Sequence, residues 1–453
     1  MPDSNRKPHL FGTDGIRGEY GKTLNKFIAY RVGRYIGYSP INHRYKIAIG
    51  RDTRYSGKYL FESLKNGILN SGGDVYDLGV TTTPSISYVV RNHNLDFGIM
   101  ISASHNPYTD NGIKIFAKDG SKIDESLEVQ IEDYIENEKD ELEIKLFDRA
   151  GVLSKEGTKF KDEYISFLKS FLHCDLDGLN IILDLANGSA SSIAPIFFKD
   201  LKAKVTFIND SPDGKNINFN AGSTHLEGLI SKVKEGHYDM GFAFDGDADR
   251  LLAVNHDGKV IDGDMIMYLL AISLKEENKL NDDTIVITKM SNLGLKKALA
   301  KKGIKVLEVD VGDKYVQRTL KENNLLLGGE QSGHIIQYDK LMTGDGFLTL
   351  VAILNELAKR HGNLDDVLDE IKIYPQLLIN YRYQNKDKDL LSLPDTVKII
   401  ELMQDKLGDD GRLFIRKSGT EPLIRIMCEA KSDEQCREVC EKVLEVIRNE
   451  DEK

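Results

Sequence analysis

Four cysteines in 453 residues, Cys174, Cys428, Cys436 and Cys440, form no CxxC pair, so the chain encodes neither a zinc ribbon nor a dithiol redox motif. Cys436 and Cys440 lie four apart in a helical pattern, on one face, and read as buried or idle thiols, with a metal or redox pair as the alternative. No window approaches the ~20 apolar residues that span a bilayer. The opening MPDSNRKPHLFG lacks the apolar stretch of a secretory signal. Cations are in deficit: 61 Lys plus Arg against 72 Asp plus Glu give a net charge of −11, which argues against a nucleic-acid partner. Also missing are G-x-S-x-G, G-x-G-x-x-G and Walker A. GEYGKT resembles the end of the last, but Ile16 stands where its first glycine belongs. These absences predict a cytoplasmic protein with no membrane or nucleic-acid partner. A composition 40% hydrophobic and 29% charged is that of a folded soluble chain.

Element order repeats along the sequence. Short β-rich runs at Tyr45–Ile49, Asn180–Leu183 and Thr284–Thr288 are each followed by a helical pattern, such as Leu293–Lys302. Second strands follow at Val75–Leu78, Val205–Ile208 and Lys305–Val309. Third strands then run into polar loops: FGIMISASHNP (Phe97–Pro107), MGFAFDGDADR (Met240–Arg250) and LLLGGEQSGH (Leu325–His334). Apolar runs between helices suggest parallel strands covered on both faces. The fold class is therefore α/β, three similar domains with mixed sheets. The C-terminal part differs, with strands at Leu377–Tyr383, Arg412–Arg416 and Leu423–Cys428 and an amphipathic helix at Asp433–Asn449, an α+β pattern. Polar stretches near Lys139–Arg149, His256–Asp262 and Asn363–Pro375 place the domains at 1–150, 151–255, 256–370 and 371–453. The charged tail Asn449–Lys453 is expected to fray.

Each polar loop, at the C-terminal end of a strand, is where such sheets hold ligands. Asp245, Asp247 and Asp249 would repel one another unless a cation sat among them, and oxygen ligands suit Mg²⁺ or Ca²⁺. An EF-hand fails because Arg250 and His256 replace its Gly and Glu. The alternative is a solvated acidic turn. Ser104, near the rim of Ser102-Ala103-Ser104-His105-Asn106-Pro107, could carry a phosphoryl group with His105 as donor, or belong to a plain turn. Glu330 and Ser332, between glycines, could read the hydroxyls of a polyol, or sit in a surface turn. Arg416, Lys417, Ser418, Gly419, Thr420 and Arg425 could cradle a phosphate without metal, or form a basic hairpin.

Together, FGTDGIRG, ISASHNPYTDNGIKIF, FDGDADR, GGEQSGH and RKSGTEPLIRIM resemble the α-D-phosphohexomutase family over essentially the whole chain. The opening motif, the Gln of GEQSGH and the ISASHNP–NGIK context resemble the branch that interconverts glucosamine 6-phosphate and glucosamine 1-phosphate, feeding UDP-N-acetylglucosamine and cell-wall synthesis. The resemblance implies four domains around a central cleft, with the fourth closing by a hinge. It implies Ser104 as the phosphoserine, and one Mg²⁺ held by Asp245, Asp247, Asp249 and a phosphate oxygen on Ser104. Glu330 and Ser332 would read the sugar. Arg416, Ser418, Gly419, Thr420 and Arg425 would hold the phosphate that is not transferred. Arg17, Lys114, His105, Arg250 and His334 would line the reaction centre, with Lys114 or His334 as general base and acid. Val311–Tyr315 resembles a sugar-orientation loop, and Ala248 stands where many relatives have Gly.

The implied reaction passes a phosphoryl group from Ser104 to the substrate, giving a 1,6-bisphosphate that reorients and returns its other phosphate. Glucosamine or glucose 1,6-bisphosphate would serve as activator. A sugar phosphate is the implied partner, and a homodimer is compatible. Rival readings are a phosphomannomutase or phosphoglucomutase, a phosphatase, and a silent sugar-phosphate-binding protein. The presence of the serine and all three aspartates weighs against the last.

Overall fold

Three times along the chain an apolar strand runs into a polar loop and returns antiparallel beside itself. The pairs are Phe97–Ile101 with Asp110–Ala117, Met240–Phe244 with Leu251–Asn255, and Leu327–Gly329 with Ile335–Gln337. In each sheet the outgoing strand lies parallel to the first strand of its repeat, which lies parallel to the second. The first strands are Lys46–Arg51, Asn180–Asp184 and Thr284–Thr288; the second are Asp74–Val80, Lys204–Ile208 and Lys305–Val309. The spatial order return–third–first–second is thus the same in all three sheets. Additional strands extend two of them: Phe11–Gly12, Gly15–Glu19 and Leu153–Ser154 in the first, and Val260–Ile261 in the second. The computed structural model describes residues 8–12, 14–39, 43–137, 139–142, 151–385, 388–417 and 422–453.

Met240–Phe244 and Leu251–Asn255 are buried at every position, as strands covered on both faces must be. Neither strand carries a charged side chain, so charge is delivered only by the loop between them. These three sheets belong to one compact unit, residues 1–290 with 304–368.

A second unit comprises residues 291–303 and 369–453. Its antiparallel sheet, in the order Gln376–Arg382, Leu423–Glu429, Arg412–Lys417, packs against helices Pro394–Leu407 and Asp433–Glu452. Cys428, Cys436 and Cys440 lie buried in the core between them with Ile424, Val439 and Val443. The Cys436 and Cys440 thiols donate to the carbonyls of Pro375 and Leu377, which accounts for them as packing residues. Helix Leu293–Lys301 belongs to this unit: the Asn292 side chain caps it at Gly294 N (2.9 Å) and donates to the Tyr374 carbonyl (3.0 Å).

The expected fraying of Asn449–Lys453 is overturned. The last helix runs to Glu452, and Asp451 accepts the Tyr381 hydroxyl at 2.8 Å, Gln384 N at 2.9 Å and Asn385 N at 2.8 Å. A carboxylate with three donors anchors the tail that its charge suggested was solvated. No helix among the described residues is long and apolar enough to cross a membrane.

Candidate active site

Ser104 opens the first polar turn in a left-handed conformation, φ 52°, which costs an L-residue about 1 kcal/mol or more and must be held by its surroundings. Its carbonyl accepts from Arg54 Nη2 and Asn218 Nδ2, both at 2.8 Å. Its N–H donates to Ser102 Oγ (2.9 Å), which donates to Asp52 Oδ2 (2.7 Å). Arg54, 2% exposed, also pairs with Asp52 at 2.8 Å and reaches the carbonyls of Asn106, Pro107 and Asp110. One guanidinium therefore gathers the whole Ser104 loop. The Ser104 hydroxyl donates to Asp245 Oδ2 at 2.5 Å and lies 3.3 Å from His105 Nδ1.

The approach of the two loops depends on Gly246. A Cβ there would sit 2.6 Å from the Ser104 carbonyl oxygen, a distance only glycine avoids. Two residues on, Ala248 has φ 58°, so an L-residue's Cβ is carried in the left-handed region. Asp245, Asp247 and Asp249 are each at most 3% exposed, and one oxygen from each lies within 4.8 Å of the others. Burial, reinforced by Asp249 and Asp247, pushes the Asp245 carboxyl well above the ordinary range. Burial acts likewise on Asp249, but Lys114 and His334 outweigh it and hold that carboxyl well below. Asp247 Oδ1 and Asp249 Oδ1 are buried and have no hydrogen-bond partner. Orphaned anionic oxygens beside a serine hydroxyl are the donor set of a hard divalent cation, and the three aspartates fit one.

Cations surround this cluster. Lys114, on the return strand Asp110–Ala117, reaches Asp247 at 2.7 Å, Asp249 at 3.1 Å and Asp14 at 2.8 Å. Burial opposes its charge, but Asp14, Asp247 and Asp249 prevail and hold it protonated far above neutrality. Arg17 pairs with Asp14. Arg250 donates from its backbone to Asp245 Oδ1 (3.2 Å), and its Nη1 lies 3.2 Å from His105 Nδ1. Burial, with Arg250 and Arg17 adding to it, pushes His105 down to about 4, so the imidazole beside Ser104 is neutral at pH 7.

The third polar loop meets the same cluster. His334, 3% exposed, places Nδ1 at 3.7 Å from Asp249 and accepts Gly344 N–H at Nε2 (3.1 Å). Glu330 Oε1 accepts the Gly312 N–H at 3.1 Å, and Ser332 donates to Glu330 Oε2 at 3.4 Å. Ser104, His105, Lys114, Arg17, Asp245, Asp247, Asp249, Arg250, Glu330, Ser332 and His334 thus all lie within the first unit, and the ion pairs and hydrogen bonds above link its three polar loops. In the second unit, Arg416 and Arg425 stand directly opposite one another on neighbouring strands, and Arg425 Nε is buried without a partner. Ser418, Gly419 and Thr420 lie outside the described residues.

Sequence reasoning missed Asp14, Asp52, Arg54, Thr83 and Asn218. The Thr83 hydroxyl donates to Asp247 Oδ2 and its N–H to the Asp247 carbonyl (3.0 Å). The signal was faint: charged residues in GRDTR at the end of an apolar strand, and an acid within FGTDGIRG.

Known proteins resemble the chain along its length. The phosphoglucomutase/phosphomannomutase α/β/α domains I, II and III match residues 8–142, 162–258 and 262–374, and the C-terminal domain of the same family matches 378–446. Phosphoglucosamine mutases from Lachnoclostridium phytofermentans and Bacillus subtilis are 47% and 44% identical, with 97% of this chain and 98% of theirs covered. A phosphoglucomutase/phosphomannomutase family protein from Burkholderia thailandensis has the same fold, with TM-score 0.80 at 24% identity over 98% of both chains. Aspergillus fumigatus N-acetylphosphoglucosamine mutase, solved with GlcNAc-6P and magnesium, aligns at TM-score 0.68 and 16% identity over 98% of this chain and 96% of that one. Four matched domains in order and near-complete coverage by relatives, around a serine set against buried aspartates, establish that the chain belongs to the phosphoglucomutase/phosphomannomutase family, the phosphohexomutases.

Proposed function

We propose that the protein is a phosphoglucosamine mutase, reversibly converting glucosamine 6-phosphate to glucosamine 1-phosphate through a phosphoserine at Ser104. The observation that carries the reading is the 2.5 Å contact of the Ser104 hydroxyl with Asp245, beside two orphaned aspartate oxygens. The names of the relatives, 43–47% identical over nearly the whole chain, support the sugar. Asp245, Asp247 and Asp249 would hold Mg²⁺, which supplies neutralisation of the phosphoryl oxygens during transfer.

The chain's own groups do the rest. Arg17, Arg250 and Lys114 offset the charge of a phosphoryl group at Ser104, and phosphoryl transfer needs such positioning and neutralisation above all. Lys114 is held as an ammonium by three carboxylates and acts as a fixed charge. His334 Nε2 accepts a backbone N–H, leaving Nδ1–H directed toward Asp249, so proton movement falls to this imidazole. Glu330 and Ser332 read the hydroxyls of the hexose, while Arg416 and Arg425, with Ser418, Gly419 and Thr420, hold the phosphate that is not transferred. Ser104 gives its phosphoryl to the free hydroxyl, the 1,6-bisphosphate turns end for end, and Ser104 takes the other phosphoryl back. Glucosamine or glucose 1,6-bisphosphate would load Ser104 and serve as activator, and the reaction suits a cytoplasmic protein. A coupled assay on glucosamine, mannose and glucose phosphates, with trace bisphosphate and mass-checked protein, tests this. Preference for glucosamine 6-phosphate is expected; preference for mannose or glucose phosphate would reassign the substrate.

A further inference from the structure

One carboxylate in the site serves three cations and has no part in the reaction above. Asp14, in the turn between Phe11–Gly12 and Gly15–Glu19, pairs with Arg17, Lys122 and, at 2.8 Å, Lys114. Lys122 pairs in turn with Asp313, the first residue of helix Asp313–Asn323. Asp313 lies 3.6 Å from His334 Nε2, and its neighbour Gly312 donates to Glu330 Oε1 at 3.1 Å. A continuous line of alternating charge therefore runs from Asp247 and Asp249 through Lys114, Asp14 and Lys122 to Asp313. It begins at the Asp245–Asp249 loop, passes the return strand and the two edge strands of the first sheet, and ends at the turn whose Gly312 N–H binds Glu330.

The line is largely shielded from water: the side chains of Lys122, Asp14 and Asp313 are 14%, 16% and 11% exposed. Burial alone would discharge Asp14, yet Lys114, Lys122 and Arg17 hold it ionised. Pairs this enclosed are strict about geometry, because removing one partner strands the other charges away from solvent. Lys314 cannot substitute for Lys122, being tied to Glu125 at 2.8 Å. Without the Lys122 ammonium, the Asp313 carboxylate would lose its ion-pair partner, and the turn bearing Gly312 would be left to the more exposed pairs Lys314–Glu125 and Lys321–Asp119.

We propose that Lys122 is a positioning residue: by clasping Asp14 and Asp313 it sets the turn that orients Glu330 in fixed relation to Lys114 and Arg17, so hydroxyl reading and phosphoryl transfer share one geometry. The proposal rests on the mutase reading above. Lys122 touches no reacting atom, so its effect falls on kcat more than on KM. A displacement of reacting groups by about 1 Å lowers turnover by roughly 100-fold.

The test is a double-mutant cycle on the full chain, using Lys122→Met, Asp313→Asn and the double variant. Lys122→Met is expected to lower kcat about 30- to 100-fold with KM changed by less than about threefold, and Lys122→Arg to recover most of the loss. The double variant should be no slower than Lys122→Met alone, because the two side chains act as one unit. Mg²⁺ affinity by calorimetry and the phosphate load on Ser104 by intact mass should match the wild type. Multiplicative losses in the double variant, or a Lys122→Met variant with unchanged kcat, would overturn the proposal. So would loss of Mg²⁺ binding in step with activity, since that is the mark of a merely structural residue, whereas a lower melting temperature alone is what stranding Asp14 and Asp313 entails. Wild-type inactivity on glucosamine 6-phosphate would count only against the substrate reading. The cycle would then be run on the hexose phosphate that the wild type turns over.

Discussion

Arg416 and Arg425 occupy directly opposed positions on antiparallel strands, two like charges side by side with Arg425 Nε buried and unbonded. Like charges so placed repel, and an anion between them removes the penalty. Arg425→Ala should raise KM for the sugar phosphate about 10- to 100-fold, the equivalent of one or two charge-assisted hydrogen bonds. Mg²⁺ affinity should not change, and the melting temperature without ligand should hold or rise. Unchanged kinetics would exclude the pair from phosphate binding.

The carboxylates of Asp247 and Asp249 each leave one buried oxygen without a partner. A chelator should abolish turnover, and Mg²⁺ should restore it and raise the melting temperature. At a hundredfold excess over Kd, such binding adds about 2.7 kcal/mol. Asp247→Asn should lose most of that stabilisation in a thermal-shift titration. An unchanged shift would remove Asp247 from the ligand set.

Ala248 is an L-residue at φ 58°, in the left-handed region that favours glycine. Ala248→Gly relieves the clash of Cβ with the backbone and should stabilise the chain by roughly 0.5–1 kcal/mol, with activity retained. Gly246→Ala, two residues earlier, should have the opposite character, forcing the Ser104 carbonyl away and lowering turnover. A stabilising Gly246→Ala would contradict the described loop contact.

Glu128, on helix Glu125–Glu136, is 8% exposed, with Oε2 buried and unbonded. Burial raises its pKa from 4.5 to about 7, more than Lys314 and Lys122 lower it. A carboxyl whose folded value exceeds the unfolded one destabilises the fold as it ionises. The penalty is absent below about pH 4.5 and complete above about pH 7. Glu128→Gln should match the wild type in denaturant melts at pH 4.5 and exceed it by roughly 1–2 kcal/mol at pH 8, after allowance for solvent screening. A difference independent of pH would rule out this ionisation.

The repeat and its three loops were legible because period and polarity are local. Apolar strands such as Met240–Phe244 and Thr284–Thr288 announce themselves, and the charges that interrupt them stand out. Arg54 and Asp14 were illegible for the opposite reason. Each is one ordinary charged residue whose tie to the site, Arg54 to Ser104 and Asp14 to Lys114, spans about 50 and 100 positions. The tail was misread because Asp451 looks solvated until Tyr381, Gln384 and Asn385 are known to donate to it. Sequence gives the order of the loops, but their convergence rests on contacts between sheets, such as Ser104 with Asp245 and His334 with Asp249.

The most direct measurement is intact mass of the wild type and of Ser104→Ala after incubation with glucose 1,6-bisphosphate and Mg²⁺, alongside the coupled assay. The account predicts one added phosphoryl group on the wild type, none on the variant, and loss of turnover by at least about a thousandfold in the variant. A Ser104→Ala protein that still gains phosphate, or that turns over sugar phosphate at the wild-type rate, would contradict it.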